Sequence, residues 1–154
     1  LTIDTSTLSP HELRELVGRT VAVDGNGNMV ILFESFGFKR GIPAYADVVF
    51  DLRCLPNPHW NPALRQLTGL DEAVARFLEE RPEVDEMRAD ITAYLERWLP
   101  CFAQGSRSYF TVAIGCTGGQ HRSVYMCERL ERHFRDRFPG VQVRHRDLAG
   151  NRQN

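Results

Sequence analysis

The 154-residue chain is 42% hydrophobic and 25% charged with a formal net charge of −1, enough core material for one globular domain that needs neither disulfides nor metals to fold. No apolar run approaches the roughly 18–20 residues of a membrane helix, residues 1–20 mix Asp4, Glu12, Arg14 and Glu15 among apolar positions, unlike a secretory signal, and Cys54, Cys101, Cys116 and Cys127 show no CxxC or metal-ligand spacing, so a reducing cytoplasm is the expected setting. Charge is uneven: residues 1–119 hold 11 Lys/Arg against 16 Asp/Glu and residues 120–154 hold 8 Arg against 4 acids, a basic segment that suggests an anionic partner such as phosphate or nucleic acid.

Leu1 stands where an initiator Met is usual, the start expected of a fragment of a longer protein. Ser9-Pro10-His11-Glu12 reads as a helix start, with Ser9 as cap, Pro10 in the first helical position and Glu12 completing a capping box. Leu13, Leu16 and Val17 give that helix its apolar face. Residues 24–28 (DGNGN) hold no apolar side chain and read as a turn or linker. The boundary set there leaves residues 1–28 as the end of a preceding domain and its linker, and residues 29–154 as the domain proper.

Residues 29–36 (MVILFESF) are rich in strand formers. Gly37 and Gly41 bracket Lys39-Arg40 in a loop, and residues 48–53 (VVFDLR) form a second short strand ending in charge. Residues 54–62 hold three prolines and must be irregular. Asp71 caps a helix with Val74, Phe77 and Leu78 on one face, and a longer helix over 83–99 carries Val84, Met87, Ile91, Tyr94, Leu95 and Trp98 at helical spacing until Pro100 ends it. Residues 109–115 (YFTVAIG) are apolar on both faces, as in a buried parallel strand. After the tight Thr117-Gly118-Gly119 loop, a helix over 121–138 turns Val124, Cys127, Leu130, Phe134 and Phe138 inward until Pro139-Gly140 stops it; a last strand covers 141–145, and the tail from Gly150 reads as disordered. This alternation predicts an α/β fold, a layered sandwich with a mainly parallel central sheet and flanking helices.

The segment Gly115-Cys116-Thr117-Gly118-Gly119-Gln120-His121-Arg122-Ser123 falls where the buried strand turns into a helix. Ligands bind at the carboxyl ends of strands in such sheets. Glycines let the backbone approach a ligand, and a helix N-terminus supplies unpaired N–H groups and a positive dipole end. Together these make an anion pocket, with phosphate its usual occupant. Arg122 can add a bidentate clamp, and Thr117 and Ser123 hydroxyl hydrogen bonds. The same residues spell Cys-x5-Arg-Ser, the arrangement of cysteine-dependent phosphatases, with Cys116 as nucleophile, Arg122 as clamp and Asp51 or Asp47 as general acid; Gly115 stands where such phosphatases usually carry His. If the second and third strands are neighbours, Asp51, His59, His121 and Arg122 meet at one edge, with Trp60 offering a stacking face. Alternatively Asp51 and Arg53 form a structural ion pair, His59 is a surface residue and Trp60 belongs to the core. His59, Cys116 and His121 match no metal-site spacing.

Glu34 to Lys39, Gly41-Ile42-Pro43, Ala46-Asp47, Val49-Phe50-Asp51, Leu55-Pro56-Asn57-Pro58-His59-Trp60, Leu67-Thr68-Gly69-Leu70-Asp71, Thr111 to Gly119 and His121-Arg122-Ser123-Val124-Tyr125 resemble the C-terminal domain of the RapZ family of RNase adapter proteins over residues 29–148, and Asp4-Thr5-Ser6 resembles the end of that family's N-terminal domain. The resemblance implies an ATP- or GTP-binding P-loop domain upstream; this chain contains no GxxxxGK[ST], so no cofactor is expected within it. It also implies a non-enzymatic sensor of glucosamine-6-phosphate or a similar sugar phosphate, which binds small RNAs and delivers them to RNase E, acting as a homo-oligomer (dimer or tetramer) off the membrane. Carried over by motif, the sugar-phosphate site is Asp51, His59, Cys116, Thr117, Gly118, Gly119, His121, Arg122 and Ser123. The implied RNA surface is Lys39, Arg40 and Arg65 with Arg135, Arg137, Arg144 and Arg146. The chain departs from the enterobacterial pattern in ending Leu148-Ala149-Gly150-Asn151-Arg152-Gln153-Asn154, with one Arg in place of a Lys/Arg-rich tail.

Overall fold

A computed structural model of the chain describes residues 28–105 and 107–148. The helix expected after Ser9, the linker over 24–27 and the tail from Gly150 lie outside the described residues. Four strands, β1 (Val30–Gly37), β2 (Val48–Asp51), β3 (Tyr109–Cys116) and β4 (Gly140–His145), form one sheet in the order β2-β3-β1-β4. Every pairing is parallel: Val30 to Gly37 match Tyr109 to Cys116, Val48 to Asp51 match Val112 to Gly115, and Val30 to Ser35 match Gly140 to His145. β1 and β3, the central strands, are the two longest apolar runs, because only they must be covered on both faces. β2 and β3 are therefore neighbours, as the convergence of the site residues requires.

Three α-helices follow in chain order: α1 (Glu72–Glu79), α2 (Pro82–Ala103) and α3 (Arg122–Phe134). Their buried residues, among them Val74, Leu78, Ile91, Leu95, Leu99, Cys127, Leu130 and Phe134, join Ile31, Phe33, Phe110, Val112 and Ile114 of the sheet in one core cluster. The Phe33 and Phe134 rings stack at 5.8 Å across the seam, and full burial of side chains of that size stabilises the fold by about 1.5–3 kcal/mol each.

Two helix ends and one cap differ from expectation for identifiable reasons. α2 runs through Pro100 to Ala103. Proline forfeits its own N–H, but Gln104 N donates to Pro100 O at 3.2 Å, and fully buried Leu99 with the Phe102–Phe110 ring contact at 4.5 Å holds the last turn in place. Asp71 occupies the cap position of α1, yet its carboxylate turns back to accept from Thr68 N at 2.7 Å instead of capping a helix amide. α3 stops at Phe134, four residues early; Arg137 N at 3.0 Å and Phe138 N at 3.2 Å both donate to Phe134 O, so the remainder is a turn closed on one shared carbonyl ahead of Pro139.

Candidate anion site at the turn between β3 and α3

β3 delivers Cys116 to the sheet's carboxyl edge, and α3 begins six residues later at Arg122. Gly115 has no room for a side chain: a Cβ there would come within 2.4 Å of the Phe36 ring and 2.5 Å of the Phe38 ring. Gly119 adopts φ +73°, and its Cβ would lie 2.7 Å from Gly37 N, so the turn and the end of β1 pack backbone against backbone. Gly118 differs, since a Cβ there would meet nothing within 4 Å.

The carbonyls of the turn face the protein. Thr117 O accepts from Lys39 N at 3.2 Å and Gln120 O from Gly69 N at 2.8 Å. Gly118 O accepts from the Gln120 side chain at 3.3 Å, and that side chain also donates to Asp147 O at 2.5 Å. Asp147 completes the brace by accepting from Gly37 N at 2.8 Å. The amides of Gly118, Gly119, Arg122 and Ser123, by contrast, meet no acceptor among the described residues. Inward-facing carbonyls and unclaimed amides at a helix N-terminus form an anion-binding nest. Beneath it, buried Cys116 Sγ and Ser123 Oγ lie 3.1 Å apart.

Arg122 is 4% exposed. Its Nη1 donates to the carbonyls of Leu55 at 2.8 Å, Arg53 at 3.1 Å and Leu52 at 3.4 Å, which fastens the loop after β2 to the turn. Nη2 reaches Thr117 Oγ1 at 3.4 Å, and Nε is buried with no hydrogen-bond partner. The guanidinium is thus not a free bidentate clamp: one nitrogen is committed to protein carbonyls, and Nε and Nη2 are left for an anion.

His121 precedes α3 and donates from Nε2 to Leu64 O at 3.1 Å. Burial holds its pKa below the ordinary histidine value, more than the hydrogen bonds to backbone carbonyls raise it, and His59 and Arg122 add to the lowering. His59, whose ring centroid is 6.4 Å from that of His121, sits with Trp60 in a short 3-10 turn, Pro58–Trp60. Trp60 is 77% exposed and hence not core. Asp51 forms an ion pair with Arg53, Nη2 to Oδ2 at 2.7 Å, whose hydrogen bonds hold the carboxyl below its usual range; the Arg53 guanidinium lies 3.8 Å above the Phe38 ring. Asp51, His59, Thr117, His121 and Arg122 therefore do share one edge.

Asp47 does not join them. It precedes β2 at the opposite end of that four-residue strand, about 13 Å away, where it accepts from Thr111 N at 2.8 Å and pairs with Arg107. The basic residues also separate. Lys39 and Arg40, in the 3-10 turn Phe38–Arg40, lie on the site's side, as does Arg65, which donates to His59 O. Arg135 and Arg137 follow the far end of α3 and pair with Glu131 and Glu96; Arg144 pairs with buried Glu34, and Arg146 with Asp147. Among the described residues no group of three or more His, Cys, Asp or Glu is placed to hold a metal ion, and no helix is long and apolar enough to cross a membrane. Sequence reasoning missed the bracing by Asp147, Gln120 and Gly69; only Gly69, where a Cβ would come within 2.3 Å of His121 O, left a trace in its residue type.

The family model described as the RapZ C-terminal domain matches residues 29–149. The chain is 62% identical over 147 residues to a nucleotide-binding protein of Cellvibrio japonicus (96% of this chain, 50% of that protein), and 57% identical over 151 residues to one of Methylobacillus flagellatus (98% and 54%). A nucleotide-binding protein of Chromohalobacter salexigens is 54% identical over 149 residues (97% and 50%). The chain spans about half the length of the curated relatives it matches.

Proposed function

Because this chain belongs to the RapZ C-terminal domain family, we propose that the turn between β3 and α3 is a non-catalytic sensor site for glucosamine-6-phosphate or a closely similar sugar phosphate. The observation that carries it is Arg122 Nε, buried without a partner beside amides that no described residue accepts from. A buried, charged donor left unsatisfied is costly, and a phosphate oxygen in the nest satisfies it. The amides of Gly118, Gly119 and Ser123 hold the phosphoryl oxygens, Thr117 Oγ1 adds a hydroxyl, and the sugar extends toward His59 and Trp60. Calorimetry with glucosamine-6-phosphate, and with glucosamine as the arm lacking phosphate, tests this. Saturable heat from the phosphorylated sugar alone is expected, and Arg122→Lys, which keeps the charge but loses the planar fork, weakens it by roughly 1.5–3 kcal/mol. Equal heats from both sugars, or none from either, would overturn the reading.

The same domain is proposed to bind small RNA on the side of Lys39, Arg40 and Arg65 and to present it to RNase E, as a homo-oligomer in the cytoplasm. The nucleotide site for which the relatives are named is assigned to the half of those proteins that this chain does not span.

A second reading, a cysteine-dependent phosphatase, is favoured by the 3.1 Å contact between Cys116 Sγ and Ser123 Oγ, the contact that would steady a thiolate. Against it, Asp51 is held ionised by Arg53 and has no proton to give a leaving group. A screen against phosphate monoesters decides: turnover lost in Cys116→Ser promotes the phosphatase.

A further inference from the structure

β4 ends at His145, and the next two residues run behind the turn between β3 and α3. The β1–β4 ladder closes there: Ser35 pairs with His145, and Ser35 O accepts from Arg146 N at 3.1 Å. Alternate residues of a strand bond to the same neighbour, so Gly37 N is the next β1 amide to face that side. It donates to the carboxylate of Asp147, Oδ2 at 2.8 Å. Asp147 is 6% exposed. Arg146 fixes the carboxylate, with Nε to Oδ1 at 3.1 Å and Nη2 to Oδ2 at 2.8 Å, and Nη2 also donates to Gly41 O at 2.7 Å.

The group held by this arrangement is the peptide between Gly118 and Gly119. A Cβ on Gly37 would lie 2.6 Å from Gly118 C and 3.0 Å from Gly119 N, so the end of β1 packs against that peptide. A Cβ on Gly119 would come within 3.2 Å of Asp147 Cβ, which puts Asp147 on the protein side of the turn. The main-chain oxygen of Asp147 accepts from Gln120 Nε2 at 2.5 Å, and the same nitrogen donates to Gly118 O at 3.3 Å. A peptide group is planar and trans, so its N–H and C=O point in opposite directions. Holding Gly118 O against the protein therefore aims Gly119 N–H outward.

We propose that Asp147 is a positioning residue for the anion-binding turn: through Gly37 N and Gln120 it fixes the Gly118–Gly119 peptide with its amide turned toward the ligand, and does not touch the ligand itself. This role rests on the turn being a phosphate site. A nest fixed in advance has little freedom left to lose when the anion seats, so part of its affinity resides in the brace. The charge of the carboxylate is matched by Arg146; what acts on the turn is the carboxylate oxygen as an acceptor.

Backbone order parameters from NMR relaxation of the 154-residue chain test this without any ligand. Gly118 and Gly119 should be rigid in the wild type, near 0.85, and fall below about 0.6 in Asp147→Ala, with Ile31 and Phe33 of β1 unchanged. Asp147→Asn keeps an oxygen that accepts from Gly37 N and should restore the wild-type values. Gln120→Ala cuts only the link to Gly118 O; it should loosen the same two glycines, and it replaces Asp147→Ala if that variant does not fold. In calorimetry with glucosamine-6-phosphate, Asp147→Ala should bind about tenfold more weakly, and Asp147→Asn within about threefold of the wild type. A purely structural role would lower the melting temperature of Asp147→Ala and leave the two glycines and the affinity at wild-type values; that result overturns the proposal, as does an Asp147→Asn variant as loose as the alanine one. A wild type that binds no sugar phosphate removes the sensor reading instead, and the order parameters still decide the role of Asp147.

Discussion

Gly118 and Gly119 sit side by side, but the protein constrains only one of them. Gly119 needs its left-handed φ of +73°, and a Cβ would meet Gly37 N at 2.7 Å and Phe36 C at 2.9 Å. Gly119→Ala should therefore cost about 1–3 kcal/mol of stability from backbone strain alone, read as a lower denaturant midpoint. At Gly118 a methyl group meets no protein atom within 4 Å, so Gly118→Ala should leave stability within about 0.5 kcal/mol of wild type. If a phosphoryl group seats on the turn, that methyl intrudes on the ligand, and glucosamine-6-phosphate binding should weaken about tenfold or more. An alanine variant that binds normally would mean the space above Gly118 is empty in function as well as in structure. The paired glycines were legible in the sequence as a sharp bend. Which one serves the fold and which the ligand was not, because that depends on Gly37 and Phe36, some eighty residues away in the chain. Arg122 teaches the same lesson: the sequence gives it a charge and a place, but only the fold shows Nη1 divided among three carbonyls and Nε left over.

Among the elements, β1, β3 and α3 were readable because each has a continuous pattern of its own: two apolar runs and the inward series Val124, Cys127, Leu130, Phe134. The edges were less so, since Pro100 and Asp71 are overruled by distant packing and by a competing turn at Thr68. The start of α3 carries a pH dependence. His121 is 7% exposed at the positive end of that helix, and its pKa lies below the ordinary value. In the unfolded chain the imidazole takes up a proton near pH 6.5; in the folded protein it does so only at lower pH. In between, the unfolded state binds more protons, so stability rises with pH across that window and is lost as pH falls below about 6.5. The wild-type melting temperature should drop more steeply than that of His121→Gln between about pH 7 and pH 5, since the amide can still donate to Leu64 O without titrating. Parallel slopes would show that the imidazole is as easily protonated in the fold as outside it. Buried Glu34 on β1 behaves oppositely. Burial raises its carboxyl pKa, more than Tyr45, Arg144 and Arg146 lower it, so its contribution is fully present below the unfolded value and fades as pH rises through the folded one. Glu34→Gln should melt above the wild type at pH 8, with the gap closing toward pH 4.

Across the whole molecule, the basic excess of residues 120–154 does not become a basic face. Arg135 is neutralised by Glu131, Arg137 by Glu96, Arg144 by Glu34 and Arg146 by Asp147. α3 is 13 residues, about 20 Å long, and separates Arg135 and Arg137 from the site's end by more than a Debye length at physiological salt. The sequence count was correct, but folding interleaved those arginines with carboxylates drawn from α2, α3, β1 and the turn after β4. Lys39, Arg40 and Arg65 form ion pairs with no carboxylate among the described residues, and all three lie on the side of the turn. If RNA binds there, the charge it meets is theirs. Three phosphate contacts predict a log–log salt slope of about −2 to −3 for a single-stranded oligonucleotide. Lys39→Ala with Arg40→Ala should flatten that slope by about 1.5–2, whereas Arg135→Ala should leave it unchanged, because Arg135 already has its counter-charge and releases no ion on binding. A slope that responds to Arg135 and ignores Lys39 and Arg40 would move the RNA to the opposite end of the sheet, away from the sugar-phosphate turn, and would remove any direct electrostatic path between the two ligands.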